Sequence, residues 1–261
     1  FLANDPGATF NTGDLVAANK IRLLATAAPR LDTVVNAASH LAAPLAPGEA
    51  VVAQGSGFGA NAKLLLDGVE ASIVSRSATA LTAVAPAGLR TSGTVEVRVS
   101  SDGADSNTVL APAAVASPGV YSRDGSGYGA GWILNSDGTF NSADNPAAAG
   151  SAITIYATGA GAVTIAGGSV VTPLAPAVFV DGFYARGVGS ASGPVDGLPG
   201  DVYRISVYVP DPAAENPSNP NLVGFKLPSQ VGLQLVFGAV NALNPANSDT
   251  ISQLGVVLYV K

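Results

Sequence analysis

The chain has 261 residues, 48% hydrophobic but only 6% aromatic and 11% charged, with a net charge of −6. That length suffices for two domains of ordinary size. Lys and Arg total 12 and never cluster, which excludes a phosphate-tracking nucleic-acid surface, and no apolar run is long enough to span a bilayer.

Gly (31) and Pro (18) supply the turns of a many-stranded β protein. With so few charges, the surface must be Ser, Thr, Asn, Gly and Ala, which is low in side-chain entropy and easy to bury against a neighbour. The chain has neither Cys nor Met. Stability therefore comes from packing, and Phe1 is expected to follow a cleavage, such as removal of a secretion signal, or a fragment boundary. An extracellular or cell-surface location is the expectation.

Residues 1–33 stand apart. In DLVAANKIRLLATAA, Ile21, Leu23 and Ala25 alternate with Lys20, Arg22 and Leu24, so an extended segment would present two faces. A short helix is the other reading, since Ala, Leu, Lys and Arg all favour one. As a strand it joins the first domain's own sheet or is donated to another molecule, with Leu15, Val16, Ile21 and Leu23 as interface candidates.

Residues 34–111 read as a first domain with strands near 50–54, 62–66, 70–75, 79–84, 94–100 and 106–110. Residues 112–119, bracketed by Pro112 and Pro118, read as a semi-rigid linker. Residues 120–261 read as a second, enlarged domain. Its strands are expected near 131–135, 139–141, 151–157, 162–165, 169–172, 177–181, 183–188, 202–209, 231–239 and 254–260. Four prolines make 210–221 a loop, and 242–249 is another. The closing GVVLYVK reads as a strand buried on both faces.

The two domains echo each other. PLAPGEAVVAQGSGFG (44–59) returns as PAAAGSAITIYATGAG (146–161), an offset of 102 residues. LLLDGVEAS (64–72) matches VFVDGFYAR (178–186), with Asp-Gly suited to a tight hairpin. TVEVRVSSDG (94–103) is matched to YRISVYVPDP (203–212). A repeat of about a hundred residues fits an immunoglobulin-like sandwich used twice. The expected fold is therefore all-β: two tandem immunoglobulin-like β-sandwich domains with an N-terminal extension strand.

PGEAVVAQGSGFG, LLLDGVEASIVSRSATALTAVAP and TVEVRVSSDGADSN resemble an IPT/TIG-type immunoglobulin-like domain. ILNSDGTFNSADNPAAAGSAITIYATGAG and LPGDVYRISVYVP are similar to an uncharacterised C-terminal β domain of secreted acidobacterial proteins. The resemblance covers about 34–261 and implies extracellular β modules without an assigned activity. The Pro/Asn-rich loops at 210–221 and 240–250 depart from it.

Chemistry-bearing motifs are sparse. His40 is the sole histidine, so any Ser-His-Asp triad would need it, in a loop at a domain entrance. GSGFG and GSGYGAG lead into no helix with a phosphate-gripping Lys and read as turns. Asp137 and Asp144 form a carboxylate pair that glycoside hydrolysis could use. With Asn141 they are also candidate Ca²⁺ ligands, although the spacing fails the EF-hand pattern. The alternative is turn chemistry: a hairpin at Asp137-Gly138 and a strand start after Asn145-Pro146. Asp102, Asp105 and Asn107 form a similar cluster. Trp132 and Tyr128, if exposed, are candidates for stacking on sugar rings; the alternative for Trp132 is core or domain-interface packing.

The leading expectation is a non-enzymatic structural or adhesive protein without a cofactor, whose partners are copies of itself in a filament built by strand donation. A module binding polysaccharide or a cell surface is the second reading. A hydrolase with a carboxylate pair is the third.

Overall fold

A computed structural model describes residues 28–238 and 250–261. Leu15, Val16, Ile21, Leu23 and the 242–249 loop lie outside the described residues.

The first sandwich is built from β1 (Arg30–Asn36), β2 (Ala50–Ser56), β3 (Lys63–Leu66), β4 (Val69–Glu70), β5 (Ser72–Arg76), β6 (Ala80–Val84), β7 (Thr94–Ser101), β8 (Ala104–Asp105) and β9 (Val109–Pro112). One sheet has the order β1-β2-β6-β5, and the other runs β4-β3-β7 with β8 and β9 both on the far side of β7. The alternation V-E-V-R-V in β7 puts Val95, Val97 and Val99 inward. They pack on Val51, Ala53 and Leu81 of the opposite sheet and on Leu64 and Leu66 of their own.

The second sandwich comprises β10 (Gly119–Val120), β11 (Gly129–Ala130), β12 (Ile133–Asn135), β13 (Ala152–Thr158), β14 (Thr164–Ala166), β15 (Ser169–Val171), β16 (Pro176–Val180), β17 (Phe183–Ala185), β18 (Gly187–Pro194), β19 (Asp201–Tyr208), β20 (Gln230–Phe237), β21 (Thr250–Ile251) and β22 (Val256–Tyr259). Its sheets are β10-β13-β19-β18 and β11-β22-β20-β16-β17, with a separate β14–β15 hairpin. Both units thus stack two sheets face to face, and the order β1-β2-β6-β5 of the first is matched by β10-β13-β19-β18 of the second, as in an immunoglobulin-like sandwich. The core of the second holds Ile153, Ile155, Ile205, Val207, Leu233 and Leu258.

The echo in the sequence has a structural meaning. β2 and β13 begin 102 residues apart and hold the same place in their sheets. The two Asp-Gly turns join β3 to β4 and β16 to β17, with φ of +49° and +78° at Asp67-Gly68 and +50° and +79° at Asp181-Gly182. Two positive φ values in a two-residue loop are the requirement of a type I′ hairpin, which Asp-Gly meets.

The pairing of 94–103 with 203–212 is corrected. β7 neighbours β3 as β20 neighbours β16, so the counterpart of β7 is β20, and the counterpart of β19 is β6. Any sandwich strand can show an alternating valine pattern, so the pattern does not specify which strand it is.

Other differences are local. The boundary at 33/34 falls inside β1, whose Leu31 and Val34 are buried in the first core. The 112–119 linker packs into the fold, with Ala116 and Ser117 buried. Phe140 makes a single bridge to Leu134 rather than a strand. The 183–188 strand breaks at Arg186 into β17 and the start of β18. Within the 210–221 loop a single helical turn, α1 (Pro212–Glu215), is capped by the Asp211 side chain accepting from the Ala214 N–H at 3.2 Å. In β22 only one face is fully buried: Val256 and Leu258 point inward, while Val257 and Tyr259 are half-buried.

Candidate functional site

The two sandwiches meet at a joint built by β1, the turn before β2, the 112–119 segment and the end of β13. At its centre is Glu49, which has no exposed surface. Its Oε1 accepts from Asn36 Nδ2 at 2.8 Å and its Oε2 from the Ala46 N–H at 2.8 Å. Asn36 Nδ2 also donates to the Ser117 carbonyl at 3.1 Å, and its Oδ1 accepts from the Ala38 and Ser39 N–H groups at 2.9 and 3.0 Å. One asparagine thus ties the corner of the first sandwich to the entry of the second, with its hydrogen-bonding capacity used.

A second tie crosses the joint directly. The first N–H of β2, from Ala50, donates to the Thr158 hydroxyl at the end of β13, at 2.8 Å. Gly159 follows at φ +77°, where an added Cβ would overlap the Ser117 carbonyl. Only glycine lets the second copy's turn sit this close to the connecting chain, and the Ser117 N–H donates to the Gly159 carbonyl at 2.8 Å.

Burial raises the Glu49 carboxyl from 4.5 to about 8, against the pull of the Ala46 N–H and the Asn36 amide. Tyr121, 4% exposed, points its hydroxyl at this cluster without a hydrogen bond of good geometry. Burial holds the phenol above its ordinary range, and Glu49 pushes in the same direction. Around the polar centre, Ala38, Tyr121, Tyr156 and Val202 form an apolar cluster that Trp132, Leu134, Val195 and Leu198 complete.

Trp132 lies at this joint. It meets Phe140 edge-on at 5.5 Å, and the Arg123 guanidinium lies 3.5 Å from the Phe140 centroid and 6.0 Å from the Trp132 ring. Trp132, Arg123, Asp124 and His40 line a groove of about 680 Å³ that Val74 and Thr82 of the first sandwich close. Asp124 accepts from Ser126 and Ser122, which holds its carboxyl below the ordinary value. Tyr128 is half-exposed, packs by Gly255 and does not line that groove.

Asp137 and Asp144 are exposed, whereas Asn141 between them is buried. Asp137 Oδ1 accepts from the Thr139 hydroxyl and N–H at 2.6 and 2.9 Å, a turn contact that lowers its pKa. Asn141 is buried and pins β22: its Oδ1 accepts from the Tyr259 N–H and its Nδ2 donates to the Tyr259 carbonyl, both at 2.8 Å. Asn107 holds Leu31 of β1 in the same two-bonded way, and Asp105 pairs loosely with Arg98. Among the described residues no group of three or more His, Cys, Asp or Glu could hold a metal ion, and no helix is long and apolar enough to cross a membrane.

Glu49 and Asn36 were not among the residues singled out from sequence. One signal was available: the counterpart of Glu49 in the second copy, 102 residues on, is the neutral Ser151, so Glu49 is a lone acid inside an apolar repeated block.

No protein-family model and no curated protein matches the sequence. Solved structures with a likeness include a gamma-CGTase from an alkalophilic Bacillus clarkii, 12% identical at a TM-score of 0.30 over 90% of this chain and 26% of that one. Domains 5–6 of the S-layer protein SbsC are 12% identical at 0.28 over 89% and 98%, and an I-band fragment of titin is 12% identical at 0.23 over 91% and 99%. The chain spans about a quarter of the length of the CGTase. The immunoglobulin-like class stands on the strand order of the two units, not on these likenesses.

Proposed function

We propose that the chain is a non-enzymatic extracellular structural or adhesive protein, an IPT/TIG-type sandwich locked to a second, enlarged one, that assembles head-to-tail into a filament. The observation that carries this reading is where the chain enters the fold. β1 runs toward the joint, from Arg30 beside Ser56 to Asn36 at the Glu49 cluster. β1 therefore begins at the pole of the first sandwich opposite the second. A segment reaching a neighbour from that pole makes a contact that does not close on itself, and such contacts grow into fibres. The buried ties at the joint suit this role, because they fix one sandwich on the other. The sparsely charged surface suits it too.

The test is light scattering and negative-stain microscopy of the full chain beside the Ile21→Asp, Leu23→Asp double variant. Filaments that disappear in the variant are the expected result. Filaments unaffected by it, or a monodisperse wild-type monomer at high concentration, would overturn the reading.

One observation favours a second reading, a polysaccharide-binding module: Trp132 lines the interdomain groove beside Arg123 and Asp124. It is the chain's sole tryptophan, so saturable fluorescence changes with soluble glucans or cell-wall polysaccharide would report binding there directly.

A further inference from the structure

The edge strands of the two sandwiches are not alike. β1 carries Arg30 and Asp32 and a register irregularity at Leu31/Thr33, β5 carries Arg76 and one at Ile73/Ser75, and β4, β11 and β17 have two or three residues each. Charges, bulges and brevity are the devices by which sheet edges avoid pairing with other chains. Among the described residues β18 ends its sheet, hydrogen-bonded in the ladder to β19 alone with β15 lying near it, and it is eight residues long and uncharged. Its bulge at Gly187/Gly189 and its Pro194 leave Gly189, Ser190, Ala191, Ser192 and Gly193 between them.

The side chains there are small where a sandwich is normally closed. Ser190 and Ser192 stand opposite Ile205 and Tyr203, the inward-facing residues of β19. Val188 is 52% exposed, and Ile165 of the β14–β15 hairpin, which shares a cleft with Ser192, is 72% exposed. An added strand with large apolar side chains on one face would fill the space that Ser190 and Ser192 leave beside Ile205 and Tyr203.

We infer that the β18 edge is the acceptor for residues 15–25 of a second copy, added as a further strand. The inference rests on the proposed self-assembly and names its acceptor. Residues 15–25 read LVAANKIRLLA: Ile21, Leu23 and Ala25 supply one apolar face, and Lys20 and Arg22 are the only charges. β18 leads into Asp196 and Asp201 at one end, while Arg186 precedes it and Arg204 of β19 stands opposite Ala191, so charge does not select the donor and the apolar face must. Ladder hydrogen bonds to the β18 backbone would give affinity independent of side-chain identity.

Because the chain contains no cysteine, cross-linking tests the contact cleanly. Full-length Leu23→Cys and Ser190→Cys chains, mixed under mild oxidation, are expected to form a disulfide-linked heterodimer at least tenfold faster than Leu23→Cys mixed with Thr91→Cys, an exposed position on the first sandwich. Full-length Ser190→Lys is expected to lose filaments while melting as the wild type does. Filaments that depend on Ile21 and Leu23 but survive Ser190→Lys, with no preferential Leu23–Ser190 cross-link, would overturn the β18 assignment and leave self-assembly standing. Absence of both filaments and cross-link would overturn both. A cross-link confined to a single chain carrying both cysteines would place the segment on its own β18 and overturn the intermolecular contact.

Discussion

Replacing Glu49 by Gln removes the titration of the joint while keeping its shape. In the unfolded chain the Glu49 carboxyl loses its proton near 4.5; in the folded chain it does so near 8, because it is fully buried. Between these values the folded state keeps a proton that the unfolded state releases. The contribution is whole below about 4.5 and declines as pH rises to about 8; above that both states are ionised and the profile is flat. The limiting slope is about 1.4 kcal/mol per pH unit, so raising the pH from about 5 to about 7.5 removes about 3 kcal/mol. For a chain of this size that is roughly 6–12 °C in melting temperature. The amide nitrogen of Gln would oppose the donor on Asn36 or Ala46, a fixed cost of about 1–3 kcal/mol. The readout is therefore slope, not offset: urea unfolding across this pH range falls for the wild type, and Glu49→Gln lies nearly level. Parallel profiles for the two proteins would refute the assignment of a buried, proton-holding Glu49.

Asn36→Ala strands Glu49 Oε1, the Ser117 carbonyl and two N–H groups in the interior, and it is expected to cost about 3 kcal/mol or more in chemical unfolding. Thr158→Val leaves the Ala50 N–H without its acceptor and is expected to cost about 1–3 kcal/mol, checked by calorimetry. Gly68→Ala and Gly182→Ala place a Cβ in open space at φ near +80°, so each is expected to lose roughly 1–2 kcal/mol from backbone strain alone and by similar amounts. Asn141→Ala releases β22 from two hydrogen bonds, and Asn135 from a third, and is expected to speed amide exchange at Tyr259 while costing about 2 kcal/mol.

Much of the fold was legible because turns leave fixed chemical signatures. Asp67-Gly68 and Asp181-Gly182 mark the same hairpin in each unit, and the spacing of β2 and β13 survives in the sequence. β18 was mostly not legible: GVGSASGP carries neither β-branched enrichment nor alternation, and it becomes a strand by pairing with β19. The joint was hidden for another reason. Asn36 and Glu49 look like surface residues in any local window; they bond each other, and Asn36 also bonds the Ser117 carbonyl 81 residues on, a partner that only the fold supplies. Trp132 carried an ambiguity that sequence could not lift, since packing against Phe140 and lining a groove demand the same residue.

The bond from Ala50 to Thr158 also has a consequence for synthesis. The first sandwich emerges from the ribosome first, yet the opening N–H of its second strand meets its acceptor only after another 108 residues have been made. At ordinary elongation rates that is roughly 5–20 s. Through that interval the corner holding Glu49 has water for a neighbour where the second sandwich will stand. The nascent first unit therefore passes through a looser state, and the arrival of its own sequel completes it.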